Sequence, residues 1–235
     1  MKPRKEWVEQ AKKNAALEAV GHIREGFIVG LGSGSTAAYA IEAMGERIKR
    51  ERLCLRGVPT SYQAFMLAVK HGIPITTLEE HAKLDVTIDG ADQIDDELNL
   101  IKGMGGALLR EKVVASASKM NIIIADQTKK VNVLGENHHP VPIEAIPFAT
   151  SPVMRRIQEI GGKPWLRESA GKLGPVITDN GNVIIDADFG LIPKPAELER
   201  ELNGVPGLVE HGLFVKTVDI VYVGKHSGIE KLTKE

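Results

Sequence analysis

Residues 84–112, LDVTIDGADQIDDELNLIKGMGGALLREK, contain an apolar strand pattern, a loop and the start of a helical pattern. Asp89 and Asp92 follow the apolar run, and Lys102 precedes a glycine-rich loop. Glu111 comes early in the helical segment. A glycine-rich loop lets the backbone approach a ligand closely. Together with two aspartates, a lysine and a glutamate, this loop predicts a site for acid–base chemistry.

The alternation of short apolar runs with longer helical patterns extends through the first half of the chain. It predicts strands at residues 27–31, 53–58, 85–88 and 121–125, and helices at residues 36–50, 61–71 and 107–119. This rhythm is typical of parallel α/β units. We therefore predict an α/β fold with a Rossmann-like open sheet and helices on both faces.

The pattern changes after about residue 134, where prolines and histidines interrupt the chain. Within VITDNGNVIIDAD, Asn180-Gly181 separates two β-rich runs and predicts a type I′ hairpin turn. Residues 213–224 look like strand material that returns to the sheet. We predict an α/β catalytic domain of residues 1–134 and 208–235, with a smaller α+β domain of residues 135–207 inserted near the C-terminal end.

Composition limits the class of protein. The chain has 235 residues, 43% of them hydrophobic, and a net charge of -1, which argues against general attraction to nucleic acid or to an acidic membrane. The charged amino terminus resembles neither a signal peptide nor a membrane span, so we expect a cytoplasmic protein. The single cysteine, Cys54, is expected to pack in the core, and Asp95, Asp96 and Glu97 are expected to form a solvated face.

The loop of residues 30–36, GLGSGST, joins the first strand to a helix and offers backbone N–H groups and hydroxyls that suit phosphate. It lacks the lysine of a P-loop, which disfavours ATP chemistry. Gly32, Gly34 and Ala37 fit a relaxed dinucleotide pattern. The next strand ends without the acid that would bind an adenosine ribose, although Arg56 could bind a 2′-phosphate. A tight turn and helix cap without a ligand is the alternative interpretation of this loop.

Asp89-Gly90-Ala91-Asp92 begins at the carboxyl end of a predicted parallel strand, where open α/β sheets form ligand crevices. A turn-forming role is the alternative for these acids, and ordinary surface positions are the alternative for Lys102 and Glu111. A metal site is disfavoured because no histidine or cysteine stands beside the acids and too few oxygen ligands can be assigned. The functional interpretation depends on the combination of these groups.

Five motifs in order, GLGSGSTAA, TIDGADQID, IKGMGGALLREK, IIIADQTKKV and VITDNGNVIIDAD, resemble type A ribose-5-phosphate isomerase over nearly the whole chain. The resemblance implies interconversion of D-ribose 5-phosphate and D-ribulose 5-phosphate in the pentose phosphate pathway, without a redox cofactor or a metal. It also implies a homodimer or a tetramer made from dimers. No nucleic-acid or membrane partner is implied.

The resemblance assigns three catalytic residues. Glu111 matches the general base that moves a proton between C2 and C1 through an enediolate, Asp89 matches the acid associated with ring opening, and Lys102 matches the group that steadies negative charge on substrate oxygens. Lys12 matches a phosphate contact, although Lys13 could take its place. The implied substrate-binding residues are Lys12, Ser33, Gly34, Ser35, Thr36, Asp89, Gly90, Ala91, Asp92, Lys102, Gly103, Met104, Gly105 and Lys129.

Two other classes of protein compete with this hypothesis, an NAD(P)-dependent oxidoreductase and a non-catalytic sugar-phosphate-binding protein. The first lacks the acidic ribose-binding residue, and the second would need an output module for which the chain has little room. An acyl-CoA transferase-like activity is a weaker third alternative. Cofactor-free isomerisation of ribose 5-phosphate distinguishes all three from the main hypothesis.

Overall fold

The computed structural model describes residues 3–234, and the chain divides into two compact units. The first unit comprises Met1–Ala91, Arg110–Lys129 and Thr217–Glu235, and the second comprises Asp92–Leu109 and Lys130–Lys216. The helices of the described residues are α1 (Pro3–Val20), α2 (Ser35–Glu51), α3 (Tyr62–His71), α4 (Leu108–Ser116), α5 (Thr150–Glu159) and α6 (Pro195–Asn203).

The strands are β1 (Ile28–Leu31), β2 (Arg56–Pro59), β3 (Val86–Gly90), β4 (Gln93–Ile94), β5 (Leu100–Ile101), β6 (Asn121–Asp126), β7 (Val141–Ala145), β8 (Lys163–Leu166), β9 (Glu168–Ser169), β10 (Lys172–Pro175), β11 (Val183–Asp188), β12 (Leu208–His211), β13 (Leu213–Phe214), β14 (Ile220–Lys225) and β15 (Gly228–Thr233). None of the helices within residues 3–234 combines the length and apolar character needed to cross a bilayer.

Six strands of the first unit form a sheet in the order β15-β14-β6-β3-β1-β2. All neighbouring strands from β14 to β2 are parallel, whereas β15 pairs antiparallel with β14 at the edge. Strand β14 is the predicted return of the chain to this sheet. The prediction of a mixed α/β fold with a parallel sheet is confirmed.

Helices cover both faces of this sheet, because successive residues of a strand point to opposite sides. Val29 and Leu31 of β1 pack in a buried cluster with residues of α1, α2 and α3. On the other face, Val114 of α4 packs with Val58 and Ile28. The carboxyl ends of β1, β2, β3 and β6 therefore share one edge, with helical segments following them.

The second unit is built around a four-stranded antiparallel sheet in the order β12-β7-β11-β8. One face of this sheet packs on α5 and α6, where Val141, Ile143 and Ile185 form a buried cluster with Val153 and Leu202. The other face carries Glu144 and Asp186, which alternate with these core positions along β7 and β11. A three-stranded sheet, β13-β5-β4, also belongs to this unit.

The turn at Asn180-Gly181 is not the predicted type I′ turn. Gly181 has a φ of 82°, but Asn180 is not among the described residues with positive φ, and a type I′ turn requires both. The N–H of Gly181 donates to Thr178 O at 3.0 Å, so the chain turns over four residues ending in a left-handed glycine. The run before the turn contributes a single bridge, Ile177 with Val183, rather than a full strand.

Two burial expectations were also wrong. Cys54 is exposed, because β2 begins two residues later and the cysteine lies in the preceding connection. Asp95 is buried, with 7% of its surface exposed. Its carboxylate accepts hydrogen bonds from the backbone N–H of Asn99 at 2.8 Å and from Asn99 Nδ2 at 3.0 Å, within the turn between β4 and β5. Asp95 is therefore shielded from solvent by the turn that it helps to form.

Candidate active site

The glycine loop between β1 and α2 is attached to the end of β3. The N–H of Ser33 donates to Asp89 Oδ1 at 3.0 Å, and the N–H of Gly32 donates to Ile88 O at 3.0 Å. A β-carbon on Gly32 would lie 2.2 Å from Asp89 Oδ1, so only glycine permits this approach. Gly34 has a φ of 95°, which L side chains rarely adopt. The backbone thus brings the predicted phosphate loop and Asp89 together.

Three side chains from the start of α3 support the same loop. Ser33 Oγ lies 2.8 Å from Thr60 Oγ1 and donates to Ser61 Oγ at 2.6 Å. Gln63 Oε1 accepts the N–H of Gly34 at 2.9 Å. Thr60, Ser61 and Gln63 are not among the residues predicted from the sequence. The first two follow β2 at the carboxyl edge of the sheet, so the rule that identified Asp89 could have identified them.

These hydrogen bonds determine which backbone N–H groups of the loop are available to bind an anion. The N–H groups of Ser33 and Gly34 already donate to side chains of the first unit. The N–H groups of Ser35 and Thr36 belong to the first turn of α2, where a helix offers no carbonyl partner of its own. Lys12 Nζ donates to Ser35 Oγ at 3.3 Å. The amino-terminal end of α2 and the ammonium group of Lys12 therefore form an electropositive site suited to phosphate.

Lys12 and Lys13 differ in their surroundings. Lys12 Nζ also donates to Glu9 Oε1 at 2.9 Å, and Tyr39 OH donates to Glu9 Oε2 at 2.6 Å. The hydrogen bond from Lys12 lowers the pKa of Glu9, and the hydrogen bond to Glu9 raises the pKa of Tyr39. Lys13 Nζ instead lies 5.2 Å from the centroid of the Tyr39 ring. Lys12 is thus the lysine that reaches the loop.

Asp89 and Lys129 follow neighbouring strands at the carboxyl edge. Asp89 is 3% exposed, and its Oδ1 also accepts the N–H of Gly90 at 2.7 Å. Asp126, at the end of β6, accepts the N–H of Thr128 at 2.9 Å and fixes the turn that carries Lys129. Because β3 and β6 are parallel, both residues lie at the edge where the glycine loop begins.

Lys102, in the second unit, is almost fully buried at 3% exposure. Its N–H donates to Gly212 O at 2.8 Å, and its Nζ lies 5.4 Å from the centroid of the Phe214 ring. A β-carbon on Gly212 would lie 2.2 Å from Lys102 O, so glycine is required for this backbone contact. Contact with an aromatic face offsets part of the cost of burying the ammonium group.

The loop after Lys102 turns tightly. Gly103 has a φ of 100°, and its carbonyl accepts the N–H of Gly106 at 2.9 Å. Asp92 Oδ2 accepts the N–H of Met104 at 3.0 Å, so one oxygen of this acid supports the loop. A β-carbon on Gly105 would meet no atom within 4 Å. The space on the side of Gly105 where a side chain would lie is therefore unoccupied by other protein atoms.

Glu111 lies in the first turn of α4 and is 5% exposed. The amino-terminal end of a helix favours a negative charge, which partly offsets the cost of burying a carboxylate. The side chain does not face bulk solvent, as a general base in an enclosed site requires. The predicted site residues of the first unit are Lys12, Ser33, Gly34, Ser35, Thr36, Asp89, Gly90, Ala91, Glu111 and Lys129, and those of the second are Asp92, Lys102, Gly103, Met104 and Gly105.

Within residues 3–234, histidine, cysteine, aspartate and glutamate side chains form no group of three that could hold a metal ion.

Comparison with known proteins gives a consistent match. The model of the family described as ribose 5-phosphate isomerase A (phosphoriboisomerase A) matches residues 56–228. Ribose-5-phosphate isomerase A of Thermosynechococcus vestitus is 47% identical over 93% of this chain and 92% of its own length. The protein of the same name from Methanosarcina acetivorans is 47% identical over 94% of this chain and 93% of its own length.

Solved structures match over nearly the whole chain. Ribose 5-phosphate isomerase A from Methanocaldococcus jannaschii superposes with a TM-score of 0.92 at 45% identity, covering 96% of this chain and 99% of that one. A D-ribose-5-phosphate isomerase in complex with phospho-erythronic acid superposes with a TM-score of 0.93 at 46% identity, with coverage of 96% and 99%.

Proposed function

Because this chain belongs to the ribose 5-phosphate isomerase A family, we propose that its predicted site residues act on a phosphorylated pentose. The chain is an aldose-ketose isomerase that interconverts D-ribose 5-phosphate and D-ribulose 5-phosphate, a step of the pentose phosphate pathway. The family motifs and the contacts of each residue support a role for each of these residues.

Glu111 is the general base. A proton α to a carbonyl is weakly acidic, so its removal needs a placed base and a preorganised environment for the oxyanion. Glu111 takes the proton from C2 of the open-chain aldose, which leaves an enediolate, and returns a proton to C1, while O2 loses its hydroxyl proton and O1 gains one. Its burial supports this role because a partly dry site strengthens the interactions that align the base with its substrate.

Asp89, Asp92 and Lys102 act on the sugar oxygens. Asp89 assists ring opening by proton transfer at the ring oxygen. Asp92 assists sugar binding, and one of its carboxylate oxygens accepts a hydrogen bond from the N–H of Met104. Lys102 and the backbone of Gly103–Gly105 stabilise the negative charge of the enediolate. The relative whose structure is in complex with phospho-erythronic acid supports the binding of a phosphorylated sugar, because that acid carries a phosphate and a carboxylate on a sugar-like chain.

The phosphate binds at the start of α2. Ser35 and Thr36 supply N–H and hydroxyl donors, Lys12 supplies a cation beside Ser35, and Lys129 contributes a second cation from the end of β6. Ser33 and Gly34 shape the loop, because their N–H groups are held by Asp89 and Gln63. An anion at a helix amino terminus is favoured by the helix dipole.

One observation carries the proposal. Asp89, Lys102 and Glu111, three ionisable residues in family motifs, are each at most 5% exposed. Burying a charged group is costly unless other groups compensate for lost hydration, so ionisable residues that are each buried beside a polar loop or a helix terminus indicate functional positions.

Three finer features are also proposed. Residues 135–207 supply most of a smaller α+β domain, which strands β7, β8 and β11 support, and β12 (Leu208–His211) extends the same sheet beyond the proposed bound. The protein is cytoplasmic, which a chain with a single cysteine supports. It is a homodimer or a tetramer of dimers, which the 95% exposure of Phe148 and the 99% exposure of Leu173 support, since exposed apolar side chains often mark subunit contacts.

The experiment that tests the function is an assay of ribulose 5-phosphate formation from ribose 5-phosphate without a nicotinamide cofactor. The wild type should turn over. Glu111→Gln should keep its melting temperature and KM but lose about 10²- to 10⁴-fold in kcat. Glu46→Gln, an exposed glutamate of α2, is the matched control and should keep its kcat. Normal turnover by folded Glu111→Gln would remove Glu111 as the base, and a requirement for NAD(P) would refute the isomerase.

A further inference from the structure

Arg167 and Asp186 form a buried ion pair in the second unit. Arg167 Nε donates to Asp186 Oδ2 at 2.7 Å, and Arg167 Nη2 donates to Asp186 Oδ1. The side chains are only 13% and 6% exposed. Desolvation offsets much of the attraction in such a pair, so stability alone is a weak explanation for it.

The same guanidinium holds the loop that follows Lys102. Arg167 Nη1 donates to Gly103 O at 3.2 Å and to Met104 O at 2.9 Å. The backbone of Arg167 is itself fixed, because its N–H donates to Ile184 O and its carbonyl accepts the N–H of Val176, both at 2.9 Å. An anchored side chain therefore binds two consecutive carbonyls of the loop.

Peptide geometry links these carbonyls to the donors of the loop. In a planar trans peptide, the C=O of one residue and the N–H of the next point in opposite directions. Arg167 holds the carbonyl of the Gly103–Met104 peptide while Asp92 holds its N–H. Because the Met104 carbonyl also points to Arg167, the N–H of Gly105 points away from the guanidinium.

We propose that Arg167 is a positioning residue for the isomerisation: with Asp186 as its anchor, it aims the Gly105 N–H at the oxyanion of the substrate. This inference rests on the proposed function of the Gly103–Gly105 backbone. Arginine suits the task because its planar group presents donors in a fixed fork, and here they bind one carboxylate and two carbonyls together. A lysine at this position keeps the charge but cannot make all four contacts.

The test is a comparison of kcat and KM for ribose 5-phosphate in Arg167→Lys and in a matched control. Arg156→Lys is the control, because Arg156 lies in the same unit and pairs with Glu159 at the surface, where it is 51% exposed. Arg167→Lys should lower kcat about 10- to 100-fold and change KM less than about threefold, because misdirected oxyanion donors lose contacts made in the transition state. The control should keep both constants. An unchanged kcat in Arg167→Lys would overturn the proposal.

A second variant separates positioning from stability. Arg167→Met combined with Asp186→Leu removes both charges, a replacement that buried ion pairs often tolerate without loss of stability. The double variant should keep its melting temperature while its kcat stays as low as that of Arg167→Lys. Recovery of kcat together with stability would overturn the proposal, as would failure of both variants to fold, since either result assigns the pair to the fold alone.

The outcome is separable from that of the proposed function. If wild type turns over, Glu111→Gln is inactive and Arg167→Lys is normal, only the positioning role is refuted. If wild type does not isomerise ribose 5-phosphate, the proposed function itself is refuted.

Discussion

The replacement Gly32→Ala should damage both stability and turnover. The new β-carbon would lie 2.2 Å from Asp89 Oδ1, 2.4 Å from Asp89 Cγ and 2.5 Å from Asp89 Cα. The last of these atoms belongs to the backbone of β3, so a rotation of the aspartate side chain cannot relieve the contact. Either the loop or the end of β3 must move by about 1 Å to restore ordinary packing distances.

The cost follows from the contacts that such a movement breaks. Overpacking a tight site costs about 1 to 3 kcal/mol. Loss of the hydrogen bond from the Ser33 N–H to the Asp89 carboxylate, now 3.0 Å long, adds about 1.5 to 3 kcal/mol. The total of about 2.5 to 6 kcal/mol corresponds to a fall of about 5 to 24 °C in Tm. Displacement of Asp89 by about 1 Å should also lower kcat by about 100-fold.

Thermal unfolding and steady-state kinetics measure these two effects. Gly204→Ala is the matched control, because its β-carbon would lie 3.5 Å from the nearest atom, an ordinary contact, and its φ is -86°. The control should change Tm by less than about 2 °C, as expected for a substitution without a clash. A Gly32→Ala protein with the Tm and kcat of wild type would refute the assigned approach of loop and carboxylate.

Three further predictions concern the anion site and a buried acid. Replacing Ser35 and Thr36 by alanine should raise KM for ribose 5-phosphate about tenfold or more with little change in kcat, and an unchanged KM would remove both hydroxyls from phosphate recognition. Lys12→Met should raise KM more than Lys13→Met, because only Lys12 contacts the loop, and equal effects would contradict this. Burial raises the pKa of Asp95, so the folded protein holds the proton of this carboxyl group more tightly than the unfolded chain does. The stability that protonated Asp95 contributes is therefore full below about pH 4 and is lost as pH rises through the raised pKa. Asp95→Asn should therefore gain stability relative to wild type between pH 4 and pH 7 in urea unfolding, and a constant difference would contradict the burial argument.

Local sequence signals determine the elements that the sequence analysis predicted well. The helix predicted at residues 61–71 is α3, Tyr62–His71, with Ser61 capping its first turn and Gly72 in the left-handed conformation at its end. The strand predicted at residues 121–125 is β6, Asn121–Asp126, an apolar run buried in the sheet. Both elements carry their start and stop signals within a few residues, so no knowledge of distant contacts is needed.

Elements that depend on distant contacts were not predictable in the same way. Strands β5 and β13 have two residues each and exist because Leu100 pairs with Phe214 and Ile101 with Leu213, more than a hundred residues along the chain. Arg167 binds carbonyls that lie 63 and 64 residues earlier. Periodicity and turn residues carry no signal for such pairings.

The candidate site divides in the same manner. The glycine loops, the paired acids and Glu111 were predicted as site residues because their residue types and order matched a family pattern. Which groups of the loop remain available to an anion depends on Gln63 and Asp89, whose side chains reach Gly34 and Ser33 across 29 and 56 residues. These hydrogen bonds therefore favour Ser35 and Thr36 over Ser33 and Gly34 as backbone donors to a phosphate.

The central claim is proton transfer by Glu111 through an enediolate. It is tested most directly by running the reaction in D₂O and measuring deuterium at C1 of ribulose 5-phosphate by mass spectrometry. Wild type should incorporate solvent deuterium during turnover, and Glu111→Gln at equal folded concentration should lose this incorporation together with turnover. Turnover of wild type with no deuterium in the product, or incorporation by Glu111→Gln at the wild-type rate, would contradict the claim.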